Sequence, residues 1–278
     1  MTKPEKLKKT LIQIKNNDYL VPADINIKKT YHDMLDHIGF PEYEFREVLI
    51  YQTFSNWILK KPQLSKSDLK EILRIGLDEN HLFFKIGDTN NNSVHTRTFS
   101  ILLIPLLLIN HREMNFLNKD EVLDIFKKVT RYFIEEKDLR GYLNETGWAH
   151  SVAHTADAFD DLALCHEIGY SELKQMLELF QAKICITNYV YIDEEDERIV
   201  SAIMSLLSRN IVPHKEICIW IKSFSHMKNS EIIHYKDEMR TNIKNFLRSF
   251  YFRILDKNEM KKILLTLKEV LNELNKFL

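Results

Sequence analysis

The sequence predicts an all-α fold built from repeated helix pairs, and three observations carry that prediction. Apolar residues recur three and four positions apart along the chain, the spacing of helices with one buried face. Gly and Pro number only 6 each in 278 residues, too few for the turns of a β-rich chain of this length. The helices after the main breaks begin alike, at intervals near fifty residues.

In chain order, Leu7, Leu11 and Ile14 make the apolar stripe of a Lys-rich first helix. Gly39-Phe40-Pro41-Glu42 ends a helix near His37 and starts another near Glu44. Asp88 to Ser93 is a polar loop. Phe99 to Ile109 is the most apolar stretch, yet it is roughly half the ~20 residues of a membrane span and holds Pro105, so it reads as a buried helix. Asn118 to Asp120 caps a helix running to Glu136, and Asp138 to Gly147 is a longer loop. Asp193 to Asp196 is an acidic turn before a helix starting near Glu197, and Asn210 to His214 is a further break. Leu264, Leu267, Leu271, Leu274 and Leu278 form the stripe of a closing helix. None of these breaks has the composition of a flexible linker, so residues 1–278 are expected to form a single helical-repeat domain.

Four helix starts are similar: Phe45-Arg46-Glu47, Thr96-Arg97-Thr98, Trp148-Ala149-His150 and Glu197-Arg198-Ile199. Each sets a cationic or protonatable side chain before an apolar run. The steps from Arg46 to Arg97 to His150 to Arg198 are 51, 53 and 48 residues, and a looser fifth copy begins at Met239-Arg240, 42 residues on. A period of this length, with two helices per unit, is that of a HEAT-like α-solenoid of stacked antiparallel helix pairs, here about five repeats. One pair cannot bury its apolar face alone, so neighbours share a core. The second helix of each pair lines the concave side, which makes the four similar helices the expected inner wall.

Composition narrows the class. Hydrophobic residues at 45% and charged residues at 28% indicate a packed core rather than disorder. With 39 basic and 40 acidic residues, the chain lacks the positive excess of a nucleic-acid binder. The expected partner is therefore a protein, peptide or small-molecule ligand, with no nucleic acid and no membrane. Cys165, Cys185 and Cys218 stand apart, form no CxxC pair and read as reduced thiols of a cytoplasmic protein. The Lys-rich N-terminus shows no secretory signal pattern.

Four segments resemble those of an uncharacterised bacterial family known only as a domain of unknown function. They are Gly39 to Arg46, Arg97-Thr98-Phe99-Ser100 (RSFS-like), Gly147 to Asp157 (GWAHxVAHxAD) and Glu195-Asp196-Glu197-Arg198-Ile199 (EDERL-like). Thr98 and Ile199 stand where that family usually has Ser and Leu. The resemblance runs from about residue 30 to 205. It implies a helical-repeat fold and no established activity.

The segment Trp148 to Asp161 is the one dense polar constellation. On a helix, His150, His154, Asp157 and Asp161, spaced by four, three and four, would share one stripe. Three readings follow. His150, His154 and Asp157 could chelate a divalent metal such as Zn, Fe or Mn, although HExxH is absent because position 151 is Ser. Without metal, Asp157 could orient His154 as an acid–base group, with Arg97 and Arg198 gripping an anion and Trp148 forming an aromatic wall. Alternatively the Arg, His and Asp side chains form a structural ladder between repeats. Ser100 and Ser151 lack a nucleophile elbow, and no Gly-rich phosphate loop occurs. Two functions remain open. One is a binding or scaffold protein with a polar concave-face site; the other is a metal-assisted hydrolase or hydroxylase-like enzyme centred on His150, His154 and Asp157. No cofactor other than that metal is expected.

Overall fold

The computed structural model describes residues 2–226 and 237–275, so Met1 and the Leu278 end of the predicted closing stripe lie outside the described residues. The chain is mostly helical, with one small two-stranded sheet among the described residues. It divides into two compact units, Met1–Cys165 and His166–Leu278.

The first unit opens with α1 (Lys3–Asn16) and α2 (Ile27–Asp36). Thr2 and Glu5 form a reciprocal capping box at α1, and the Asn26 side chain caps α2. Helix α3 (residues 44–60) is π-helical over Glu44–Tyr51, α-helical over Gln52–Ser55 and π-helical again over Asn56–Lys60. Helix α4 (Lys66–Gly76) starts at a Ser65/Asp68 capping box. Helices α5 (Ser93–Ile101) and α6 (Leu103–Met114) run on from one another with a break at Leu102. Pro105 explains the break: it has no N–H to give the Ile101 carbonyl four residues back. By length and composition, Ser93–Met114 could cross a membrane, yet 78% of its most apolar window is buried inside the protein. The apolar stretch is thus the centre of this unit, packed on α8.

Helix α7 (Lys119–Glu135) begins where expected, with Asn118 and Glu121 satisfying each other's backbone N–H. The expected loop after it contains a hairpin, β1 (Tyr142–Leu143) and β2 (Gly147–Trp148), which leads into α8 (Ser151–Leu164). Helix α8 packs on α5, α6 and α7. Its Phe159 is fully buried, edge-on to Phe126 and Phe133 at 6.1 and 5.5 Å between ring centroids.

The second unit comprises α9 (Tyr170–Ile184), α10 (Glu195–Ser208), α11 (His214–His226), α12 (Asp237–Ile254) and α13 (Lys261–Leu274). Helix α10 starts two residues before the expected Glu197, led by Glu194 in the left-handed region. The stripe of α13 also differs from expectation: Ile263, Leu267, Val270 and Leu274 are buried, while Leu264 and Leu271 are only partly so. Ile263, Leu264 and Leu265 put apolar groups on adjacent faces, and packing against α11 and α12 chooses among them.

Candidate functional site

The start of the predicted motif belongs to the hairpin, with Trp148 on β2 and His150 just before α8, and the rest lies on α8. Tyr142 pairs with Trp148 and Leu143 with Gly147. Gly147 has φ +77, and a Cβ there would stand 2.5 Å from Glu47 Oε1 and 2.8 Å from Tyr43 Cβ. Both the backbone angle and the space therefore demand glycine.

Two neighbouring residues of α3 hold this hairpin in place. Arg46 is fully buried, and its guanidinium donates to the carbonyls of Phe40 and Thr146 and to Glu47 Oε1. Glu47 Oε1 also accepts the Trp148 N–H at 3.1 Å. The guanidinium lies over the Phe99 ring, 4.6 Å from its centroid. On the other side, His95 Nδ1–H donates to the Trp148 carbonyl at 3.2 Å. A carbonyl only accepts, so this tautomer leaves His95 Nε2 as a buried lone pair, and that atom has no hydrogen-bond partner. Burial, reinforced by the Arg46 charge, pushes the His95 pKa down to about 4.

Arg97 sits two residues further along α5 and is equally buried. It forms a two-pronged ion pair with Glu136, at 2.6 and 2.9 Å, and donates to the carbonyls of Phe84, Lys85 and Asp88 and to Ser93 Oγ. A guanidinium has five N–H groups, and these contacts engage every nitrogen, leaving no donor for a ligand anion. Arg46 and Arg97 thus do the same job: each reaches back to carbonyls of the preceding turn and pairs with a glutamate.

His150 is not on a helix. It is the residue before α8, with φ +49, so the predicted stripe of four loses its first member. Its N–H donates to the Arg140 carbonyl and its ring stacks on Trp148, centroids 4.6 Å apart and planes at 22°. His154, on the first turn of α8, donates from Nδ1 to the Thr98 carbonyl at 3.2 Å. Its ring meets His150 at 5.6 Å and Phe99 at 5.7 Å, both edge-on. With Tyr142 edge-on to Trp148 at 5.0 Å and Tyr51 edge-on to Phe99 at 6.2 Å, six rings make one file from exposed Tyr142 through buried His150, His154 and Phe99 to partly buried Tyr51.

Residues 82–252 match a family described as a protein of unknown function, DUF2785. The chain belongs to the DUF2785 family. No curated protein and no solved structure matches it. Within this DUF2785 chain, the matched region takes in Arg97 to Ser100, Gly147 to Asp157 and Glu195 to Ile199, whereas Gly39 to Arg46 lies upstream.

The remaining predicted residues of the DUF2785 chain fall into separate places. Asp157 and Asp161 lie on α8, and Asp161 pairs with Arg112 Nη2 at 2.6 Å. Burial nonetheless pushes the Asp161 pKa up to about 6, with Asp160 and Asp157 adding to the rise and Arg112 opposing it. Arg198 belongs to the second unit, exposed on the first turn of α10. Among the described residues, no group of three or more His, Cys, Asp or Glu side chains, the expected His150, His154 and Asp157 included, is arranged to hold an ion. The reason is geometric, because His150 stands off the helix with its ring flat on Trp148. Sequence reading passed over His95, Glu136, Asp138 and Arg140. The adjacent Asp138-Leu139-Arg140 was the available signal: Arg140 returns onto Asp138 at 2.8 and 2.6 Å and stiffens the hairpin's stem.

Proposed function

We propose that this chain is a helical-repeat binding protein that engages a peptide or protein through the face of its β1–β2 hairpin. The observation that carries the reading is the ring file. It begins at half-exposed Tyr142 and Trp148 and continues through His150 and His154 to buried Phe99. Aromatic groups held rigid at a surface bind partners at low entropic cost. Rigidity comes from Arg46, Glu47 and His95, whose side chains hold the hairpin from below.

The repeat reading has support inside each unit. Side chains bond across elements at separations near the predicted period: Asn110 to Ile58 over 52 residues, Lys70 to Glu121 over 51, Asn242 to Tyr191 over 51 and Ser249 to Asp196 over 53. Stacked helix pairs of HEAT-like type, about five in the chain, produce such spacing. The three free cysteines suit a reducing, cytoplasmic setting.

A photo-crosslinking side chain placed at Tyr142 tests the reading in the native host. A discrete adduct is expected there, absent when the crosslinker sits at exposed Ile134 on α7 and lost on Trp148→Ala. An adduct pattern that is the same at both positions, or unchanged by Trp148→Ala, overturns it.

A further inference from the structure

The outer end of the ring file has a definite electrostatic character. Tyr43 and Tyr142 keep 46% and 50% of their surface in water, and Trp148 on β2 is partly exposed. Tyr43 packs its Cβ under Gly147, the residue before Trp148, and the Tyr142 ring meets the Trp148 ring across the hairpin. The carboxylates nearby belong to α3 and the hairpin tip. The Tyr43 hydroxyl donates to Glu44 Oε1 at 3.3 Å, and the charges of Glu44 and Glu47 hold the Tyr43 pKa above its ordinary value. Glu145 is exposed at the tip.

The cations of the region are already committed. Arg46 is buried beneath the hairpin with Glu47 and backbone carbonyls, and Arg140 is held by Asp138. Lys8 is likewise paired with Glu42, and the carboxylates Glu44 and Glu145 stand exposed beside the rings. The faces of aromatic rings carry negative potential, and carboxylates add to it, so the two together attract a cation and repel an anion. The rings form an open ledge rather than an enclosed cavity. A small solute needs most of its surface buried to bind well, whereas a side chain on a peptide is anchored on both sides.

We propose that Tyr43, Tyr142 and Trp148, with Glu44, form a recognition ledge for the lysine ammonium or arginine guanidinium groups of a basic peptide segment. This rests on the binding reading above and gives it a partner chemistry. Glu47 is a positioning residue: its carboxylate fixes the Trp148 backbone, and its charge is balanced by Arg46. Glu44 supplies charge and accepts the Tyr43 hydroxyl.

The full chain carries its own reporter. Of the three tryptophans, Trp57 and Trp220 are 0% and 8% exposed, so emission changes on titration report Trp148. Acetylated, amidated hexalysine and hexaarginine are titrated at constant ionic strength, with hexaglutamate as the comparison. Saturable changes are expected with the basic peptides and none with hexaglutamate, weakening as salt is raised. Tyr142→Ala and Tyr43→Ala should each weaken binding about five- to tenfold, and Glu44→Gln about two- to threefold. No saturable change up to millimolar peptide, an equal response to hexaglutamate, or undiminished binding in a Tyr43→Ala/Tyr142→Ala variant overturns the proposal. The two readings fail separately: if Tyr142 crosslinks a partner while basic peptides do not bind, the cationic class is wrong and the binding face stands.

Discussion

His150 stacks on Trp148, ring planes 22° apart, from a backbone at φ +49. The contact joins the last strand residue of the hairpin to the residue that launches α8, and the His150 carbonyl accepts the His154 N–H that starts the helix. A left-handed residue with a Cβ costs roughly 1–2 kcal/mol, and a stacked pair returns roughly 0.5–1.5 kcal/mol. His150→Ala keeps the cost and loses the return. His150→Gly loses both. Chemical denaturation should therefore find His150→Gly more stable than His150→Ala by about 1 kcal/mol. Equal stability would show that the backbone here carries no penalty.

Gly147→Ala is expected to be worse than either. The new Cβ would meet Glu47 Oε1 and Tyr43 Cβ well inside van der Waals distance, at a φ that disfavours any side chain. A loss of at least about 2 kcal/mol is expected, with the hairpin displaced and Trp148 emission shifted to the red. An unshifted spectrum would mean that α3 can yield without releasing the hairpin.

These local features mark the limit of what the sequence could show. The caps at Asn118 and the break at Gly39 to Glu42 were legible because they use residues a few positions apart. The hairpin was not, since two-residue strands leave no alternating pattern to read. His150 was placed on the helix because a left-handed residue one position before a helix has no signature when it is histidine rather than glycine. The buried face of α13 was misjudged by one position because three apolar residues in a row leave the choice to tertiary packing. Arg46 and Arg97 were grouped with His150 and Arg198 by spacing, and spacing could not reveal that backbone carbonyls take donors of both arginines.

The Arg97–Glu136 pair gives a prediction of a different size. Both groups are buried, and Glu136 also accepts the N–H groups of Lys137 and Asp138. Glu136→Ala leaves a buried guanidinium without its counter-charge, which should cost about 3–5 kcal/mol. Arg97→Lys should be nearly as damaging, because one ammonium cannot reach the carboxylate and three carbonyls at once. A loss below about 1 kcal/mol in either variant would mean that water reaches the site.

Buried His95 and partly buried Asp161, in the same unit, give pH dependences of opposite sign. His95 stays neutral in the folded protein down to about pH 4, whereas the unfolded chain takes up the proton near 6.5. Between those values the unfolded state binds the extra proton, so stability falls as the solution is acidified, by up to about 3 kcal/mol over the whole window. Asp161 behaves the other way. Its folded pKa of about 6 lies above the ordinary 3.8, so the folded state holds a proton that the unfolded state releases, and stability falls as pH rises from 3.8 to 6. In the parent protein the two effects partly cancel, and single variants separate them. His95→Gln, which can still donate to the Trp148 carbonyl, should remove the acid-side loss and leave a curve that declines with rising pH. Asp161→Asn should remove that decline and steepen the loss of stability on acidification. Urea midpoints measured across this range decide the matter. Parallel curves for both variants and the parent would mean that neither group changes its proton affinity on folding.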